Sequence, residues 1–313
     1  MTMKKGRKVQ RLIRLNSKNN NFVEKLPDPF VRELPRLLKN FSEFPTGNLK
    51  YDWKVLDDDG FVSWFKTLKK SELIKTNRVK ISYMIRNLEA FQFASVWRMT
   101  DLITATVNIL NNDTLIAGAA TSRSAIELTT RYVHASHFFD KYFRDIPWDK
   151  LDTHLLELQF YGNPGDAKSL KLVEHEIDRL MWGSRLEETI DFNPELEQTN
   201  ILTLIRKIDK TIRADNESSQ IMPHYEFLSE AAHPNGLGFK RFQEGNPSNI
   251  DDIWISLKLS ERASGDAADF LRSEIMWGLA FSAYHIPRCF QIFYKLGEFV
   301  QNKMGVVLPP RRS

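Results

Sequence analysis

Apolar residues recur every three or four positions along most of the chain, which is the period of an amphipathic α-helix. The clearest example runs from Val79 to Leu110, where the sequence contains neither glycine nor proline. Within it Met84, Leu88 and Phe91 lie at helical spacing. This pattern predicts one long helix.

The sequence Asn111-Asn112-Asp113 interrupts that helix, and a second long helix is predicted from about Thr114 to Phe143. A link this short favours an antiparallel arrangement of the two helices. Further helices are predicted over 166–186, 194–213, 223–233 and from 266 to about 304. Alternation typical of a β-strand is convincing only over 252–257. We therefore predict an all-α fold: an antiparallel bundle of long helices with a small irregular N-terminal region.

The N-terminal part of the chain has a different composition. Prolines at 27, 29, 35 and 45 keep any helix short between residues 22 and 76. The asparagine-rich stretch 16–21 is typical of a linker. The predicted organisation is a basic disordered arm and linker (1–21), an irregular or helical region (22–76) and a helical bundle domain (77–313).

Charge is distributed unevenly. The chain has 44 Lys and Arg against 40 Asp and Glu, a net charge of +4, but seven of the cations and none of the acids lie in residues 1–18. Without these seven, 37 basic residues face 40 acidic ones, a net charge of −3. A basic arm is attracted to nucleic-acid phosphates or to anionic membranes. RNA is the expected partner of residues 1–18, and a solvated tail without a ligand is the alternative.

Cysteine content and hydrophobic segments bear on cellular location. The single cysteine, Cys289, cannot form an internal disulfide and indicates a reducing compartment. The longest apolar run, Ile275 to Tyr284, is shorter than the roughly 18 residues that a transmembrane helix requires. We expect a cytoplasmic protein without a transmembrane span, and aromatic faces on long helices are compatible with a homodimer.

Motifs for cofactors and metals are absent or incomplete. The sequence lacks a P-loop, a dinucleotide-binding glycine fingerprint and a nucleophile elbow. His175-Glu176 begins like a zinc-protease motif, but the required second histidine is replaced by Arg179. His134 and His137 are three residues apart, and a core or interface role is favoured over metal binding. We expect no cofactor and no metal.

Two predicted helices carry stripes of polar residues at intervals of about four. The stripes are Arg123, Glu127, Arg131 and His134 on one helix and Tyr225, Ser229 and His233 on another. Buried charges must be paired, so we predict that the stripes meet and that Glu127 pairs with an arginine and orients a group of the second stripe. Such a cluster offers His233 as a general base and an arginine as a cation for an anionic transition state. The alternative is a polar network that locks two helices in register.

At these two segments the chain resembles a family of helical bacterial proteins without a settled activity. Its members carry an Arg-Ser-x-x-Glu helix and, about a hundred residues later, the motif Tyr-x-x-Leu-Ser-x-x-x-His. Here the motifs begin at Arg123 and Tyr225, and the resemblance covers roughly residues 79–300. It implies an all-α fold and a shared polar site.

The chain is also similar, more loosely, to the HEPN superfamily of helical proteins, many of which are ribonucleases in toxin and phage-defence systems. Their mark is an arginine and a histidine separated by four to six residues, and Arg131 and His137 have five residues between them. Tyr132 follows the arginine where a polar residue is usual. In an unbroken helix, positions six apart also point about 120° away from each other.

Two function hypotheses follow. The first is a HEPN-like, RNA-binding effector that cleaves RNA without a metal, for which the candidate catalytic residues are Arg123, Glu127, Arg131, His137, Tyr225, Ser229 and His233. The second is a non-enzymatic helical interaction module in which the Arg/Glu/His cluster is a structural polar network.

Overall fold

A computed structural model of the chain describes residues 13–43, 70–146, 148, 168–182, 199–215, 220–233, 248–250, 255–256 and 265–304. Within these ranges the secondary structure is almost entirely α-helical, which confirms the predicted all-α helical bundle. The helices are α1 (Ser17–Glu24), α2 (Pro29–Arg32), α3 (Leu34–Ser42), α4 (Lys70–Asn111), α5 (Leu115–Arg144), α6 (Lys168–Trp182), α7 (Ile201–Asp215), α8 (Ile221–Ala232) and α9 (Asp266–Met304). Two-residue strands, β1 (Ser248–Asn249) and β2 (Ile255–Ser256), pair antiparallel.

The chain divides into two compact units. The first unit gathers the described residues within Met1–Thr46, Val96–Val133 and Ile201–Pro287. The second unit gathers those within Gly47–Ser95, His134–Asn200 and Arg288–Ser313. The boundaries predicted after residues 21 and 76 stay a prediction, and the short N-terminal helices are grouped with the first unit. Their apolar side chains are buried, as Leu34 and Phe41 illustrate.

The asparagine-rich stretch 16–21 is not a linker, contrary to the prediction. Asn16 caps α1 by accepting a hydrogen bond from the backbone N–H of Asn19 at 2.9 Å. The buried Asn19 amide donates to the carbonyl oxygen of Leu110 (3.1 Å) and to Oδ1 of Asn111 (3.2 Å). Asparagine therefore serves here as a cap and as a bridge to the end of α4. Residues 1–12 and 44–69, which complete the predicted arm and N-terminal region, lie outside the described residues.

An ion-pair cluster joins α1, the α4–α5 turn and α9. Asp113 lies in the turn with φ 58°, a left-handed conformation that aspartate tolerates. Its carboxylate contacts Lys18 Nζ at 2.6 Å and Nη2 of the buried Arg272 at 2.7 Å, and Arg272 also donates to Asp269. Burial alone would raise the pKa of Asp113, but Lys18 and Arg272 outweigh it and lower the pKa. Lys18, which was expected in the basic arm, therefore forms an ion pair with the α4–α5 turn.

The predicted antiparallel packing of α4 and α5 is present in the first unit. Thr106 of α4 donates a hydrogen bond to the Thr121 hydroxyl of α5 at 2.9 Å, on opposite sides of the turn that joins the helices. Gly118 lies against side chains of both Ile109 on α4 and Ile275 on α9. A small residue at this point therefore allows α5 to approach two helices at once.

Helices α5 and α9 pack parallel to each other within the first unit. Ser122 donates to the carbonyl oxygen of Ile275 at 3.1 Å, and Thr129 donates to the Ser282 hydroxyl at 2.9 Å. The contacts pair residue 122 with 275 and residue 129 with 282, so the residue numbers rise in the same direction on both helices. The two helices are therefore parallel. Buried hydroxyl groups in this contact are paired, so they do not carry the cost of an unsatisfied polar atom.

The second unit has an aromatic core. Phe93 of α4 packs edge to face on Phe290 of α9 at 5.5 Å, and Phe91 packs on Phe293 at 6.2 Å. Cys289 is buried in the same unit, and this burial raises the pKa of its thiol to about 11. Across the described residues, no helix is long and apolar enough to cross a membrane.

Replacing Gly278 by alanine tests the close approach of α5 and α9. The added methyl would lie 2.2 Å from Ser122 Oγ and 3.2 Å from Ile126 Cδ1. We expect Gly278→Ala to lower the free energy of unfolding by about 1–3 kcal/mol, because the packed interface must move apart. Urea denaturation followed by circular dichroism measures the change.

Gly297→Ala in the same helix is the matched control, because, apart from its own stretch of helix, no described residue has an atom within 4 Å of the added methyl. Here the better helix propensity of alanine should stabilise the protein by about 0.5–1 kcal/mol. Equal effects of the two substitutions would contradict the close packing at Gly278.

Candidate functional site

Helix α8 carries the second polar stripe, and its position is set by a cap from α7. Asp209 is buried, and its two carboxylate oxygens accept hydrogen bonds from the backbone N–H groups of Ile221 (2.6 Å) and Met222 (3.2 Å). A carboxylate at a helix N-terminus satisfies free N–H groups and interacts favourably with the helix dipole. The beginning of α8 is thereby attached to α7.

The two predicted polar stripes meet at Glu127. Its Oε1 atom accepts one hydrogen bond from the Tyr225 hydroxyl at 2.9 Å and another from Arg123 Nε at 3.1 Å. The Arg123 guanidinium carbon also lies 5.6 Å from the centre of the Tyr225 ring. One carboxylate oxygen therefore accepts a hydrogen bond from its own helix, α5, and another from α8, and the second joins the two helices.

The cluster lies at the edge of the buried interior. The Arg123 and Glu127 side chains are 32% and 31% exposed, whereas Tyr225 is buried. Burial raises the pKa of the Tyr225 hydroxyl, and the adjacent Glu127 raises it further. Burial opposes the charge on Arg123, but Tyr225 and Glu127 outweigh this effect and raise its pKa. The environment therefore keeps the phenol protonated and the guanidinium charged.

Two of the predicted α8 residues take no part in the cluster. The Ser229 hydroxyl donates to the backbone oxygen of Tyr225 within its own helix at 2.8 Å. His233 follows the last residue of α8 with an extended backbone (φ −82°, ψ 151°), and it is exposed. Its imidazole makes no hydrogen bond to another residue in the described ranges. Glu127 consequently orients Tyr225, and the expected general base is not assembled with it.

The remaining candidates lie elsewhere on α5. Arg131 is half-buried in the first unit, whereas His137 is exposed in the second. His134 is half-buried, and its ring centre lies 6.2 Å from that of Phe138. Among the residues that the structure describes, no three His, Cys, Asp or Glu side chains are grouped to hold a metal ion.

Sequence reasoning missed a second polar pair on α8. His224 Nδ1 lies 2.6 Å from Oε2 of Glu274 on α9, and the imidazole stacks on Trp277 at 3.8 Å with an angle of 13° between the rings. Glu274 is 10% exposed and His224 is 26% exposed. A carboxylate accepts the Nδ1–H bond and leaves Nε2 as the second functional atom of the ring. The available signal was Glu274 itself, because a carboxylate beside the apolar run of α9 requires a partner.

Consecutive residues of α8 thus bind two different helices. Side chains one position apart on a helix point about 100° away from each other. Tyr225 reaches Glu127 on α5, whereas His224 reaches Glu274 on α9. Helix α8 is therefore attached to α5 through Glu127 and to α9 through Glu274.

Three comparisons with known proteins found no match to this chain. No family model matches the chain, and neither the curated proteins nor the solved structures contain a match. The resemblances to the bacterial helical family and to the HEPN superfamily therefore stay predictions.

Tyr225→Phe removes the hydroxyl that binds Glu127. Because this hydrogen bond is partly buried and its acceptor is charged, we expect the free energy of unfolding to fall by about 1–2 kcal/mol. A double-mutant cycle with Glu127→Ala, which removes the acceptor, isolates the coupling when it is measured by urea denaturation. Ser229→Ala is the control and should change stability by less than about 0.5 kcal/mol. A coupling energy of zero would exclude the hydrogen bond as a stabilising contact.

The raised pKa of Tyr225 also predicts how the free energy of unfolding depends on alkaline pH. A raised pKa means that the folded state favours the protonated Tyr225, so its contribution is complete below the ordinary tyrosine pKa of 10.0. That contribution is lost as the pH rises through the higher pKa of the folded state. Between these two pKa values wild-type stability should decrease more steeply than that of Tyr225→Phe, which parallel denaturation curves would reveal.

Proposed function

We propose that the protein is a non-enzymatic helical module that binds RNA through its basic N-terminal residues. The Arg123–Glu127–Tyr225 cluster is then a structural polar network. The observation that carries this proposal is that Glu127 Oε1 accepts hydrogen bonds from both Arg123 and Tyr225. The carboxylate and the cation that catalysis would need satisfy each other and hold α8 in place.

The positions of the histidines support the same conclusion. A general base needs an orienting group and a place beside the reacting atoms. His233 is exposed beyond the end of α8, and His137 is exposed on α5. The geometry therefore favours a binding role over the acid–base arrangement expected for these residues.

The charge for binding RNA is concentrated in the first twelve residues. They contain the five cations Lys4, Lys5, Arg7, Lys8 and Arg11 and no acid. Lys18, which was also assigned to the arm, forms an ion pair with Asp113. A cluster of this kind contacts phosphates without reading the base sequence, and its affinity falls as salt rises.

Neutralising these five cations in the full-length chain tests the proposal. We expect Lys4→Gln, Lys5→Gln, Arg7→Gln, Lys8→Gln and Arg11→Gln together to weaken RNA binding. The slope of log affinity against log salt should decrease by roughly 3–4, since each phosphate contact contributes about 0.7 for a single strand. Fluorescence anisotropy with a labelled poly-U strand measures both quantities. Lys25→Gln with Lys39→Gln, at exposed positions outside the arm, is the control, and an unchanged slope in the arm variant would exclude the arm.

A HEPN-like, metal-independent ribonuclease of a toxin or phage-defence system is the second candidate. The observation that favours it is the His224–Glu274 pair, because an imidazole oriented by a carboxylate can accept and return a proton. However, Glu226 and Glu230 are exposed on the same helix and oppose the approach of a phosphate backbone. This local negative charge is why the binding module is preferred.

An RNA-cleavage assay separates the two candidates. We expect labelled RNA to stay intact with the wild-type protein in buffer containing EDTA. Cleavage that disappears in His224→Gln, while the melting temperature of the variant stays close to wild type, would establish the ribonuclease instead. His137→Ala and His233→Ala test the sites derived from sequence in the same assay. Activity that persists in all three variants would assign the cleavage to other residues.

A further inference from the structure

Helix α7 has a buried apolar face and an exposed basic face. The apolar residues Ile201, Leu204, Ile205 and Ile208 are buried in the first unit. The exposed residues described on the helix are Thr203, Arg206, Lys207 and Lys210. Helical spacing places these four on one side. The surface of α7 therefore carries three cations and one hydroxyl.

The described side chains of α7 contribute no carboxylate to this face. Between Ile201 and Lys210, where the side chains of α7 are described, Asp209 is the only acid. Asp209 is buried, and its oxygens accept hydrogen bonds from the first N–H groups of α8. The Asp209 carboxylate is therefore directed to the beginning of α8 and not to the exposed face of α7.

The neighbouring helix has the opposite charge. The exposed face of α8 carries Glu226 and Glu230 and no Lys or Arg. A polyanion is repelled from α8 and attracted to α7, although the two helices are joined by the Asp209 cap.

We propose that the exposed face of α7 is a second phosphate-binding surface for single-stranded RNA. It acts together with residues 1–12, and it rests on the proposed function because the ligand is the same. Arg206 and Lys210 are one turn apart, about 6 Å along the helix axis, so each can contact a different phosphate of one strand. Arginine supplies a fork of donors for a phosphate, and the lysines supply point charges.

RNA fits this face better than an anionic membrane. A helix that binds in a membrane interface needs an exposed apolar side to insert below the lipid headgroups. The apolar side of α7 is buried within the first unit, and the exposed side chains at 203, 206, 207 and 210 are all polar. The face can therefore contact phosphates but has nothing to insert.

The test replaces the three cations in the full-length chain by Arg206→Gln, Lys207→Gln and Lys210→Gln. Binding of a labelled poly-U strand is measured by fluorescence anisotropy over a range of salt concentrations. We expect the salt slope to decrease by about 2, and the affinity to fall roughly tenfold or more at moderate salt. The exchange Arg206→Lys, Lys207→Arg and Lys210→Arg keeps the charge and should preserve the slope.

A matched control removes the same charge from scattered exposed positions: Lys25→Gln, Lys39→Gln and Lys295→Gln. Equal slopes in the α7 variant and in this control, with a lower slope in the arm variant, would overturn the α7 surface and leave the proposed function intact. No RNA binding by the wild-type protein would overturn both. Binding to phosphatidylserine vesicles that depends on α7, without binding to RNA, would replace the proposal by a membrane partner.

Discussion

The parallel contact between α5 and α9 is the constraint on which the architecture of the first unit depends. Glycine at 118 and 278 removes the side chains that would separate the helices, and Ser122 uses the space to reach a backbone carbonyl. Buried hydroxyls at 129 and 282 satisfy each other across the same contact. Because α5 and α9 lie side by side, one helix can bind both of them. Helix α8 does so through Tyr225 and His224.

Acids and cations have different roles in this unit. The carboxylates of Glu127, Glu274, Asp209 and Asp113 each accept hydrogen bonds or ion pairs that connect separate elements. They stabilise the arrangement of helices and are occupied by internal partners. The cations that we assign to an external anion are the five of residues 1–12 and the exposed Arg206, Lys207 and Lys210 of α7. The acidic groups therefore organise the body, and the basic groups are the ones suited to an external anion.

The helices were predicted well because helical periodicity is a local property. The sequence predicts helices at 79–110 and 114–143, and the structure has them at Lys70–Asn111 and Leu115–Arg144. The pairing of Glu127 with an arginine and with a residue of the second stripe was also predictable, since a charge on an apolar helix must be paired, but the sequence left the partners open. The helix at Ser17–Glu24 was not predicted, because asparagine is common both in linkers and in caps, and its role depends on Leu110 and Asn111, about 90 residues away.

The sequence by itself determined the helical class, the uneven charge and the polar stripes at 123–134 and 225–233. Each follows from composition or from a period of a few residues, which chain neighbours alone establish. Only the tertiary structure decided that Tyr225 binds Glu127, that His224 binds Glu274, and that His233 stays exposed. These outcomes depend on the rotation of each helix about its axis, which the packing of α5, α8 and α9 sets. Side chains 50 or 98 residues apart meet only when that packing is complete.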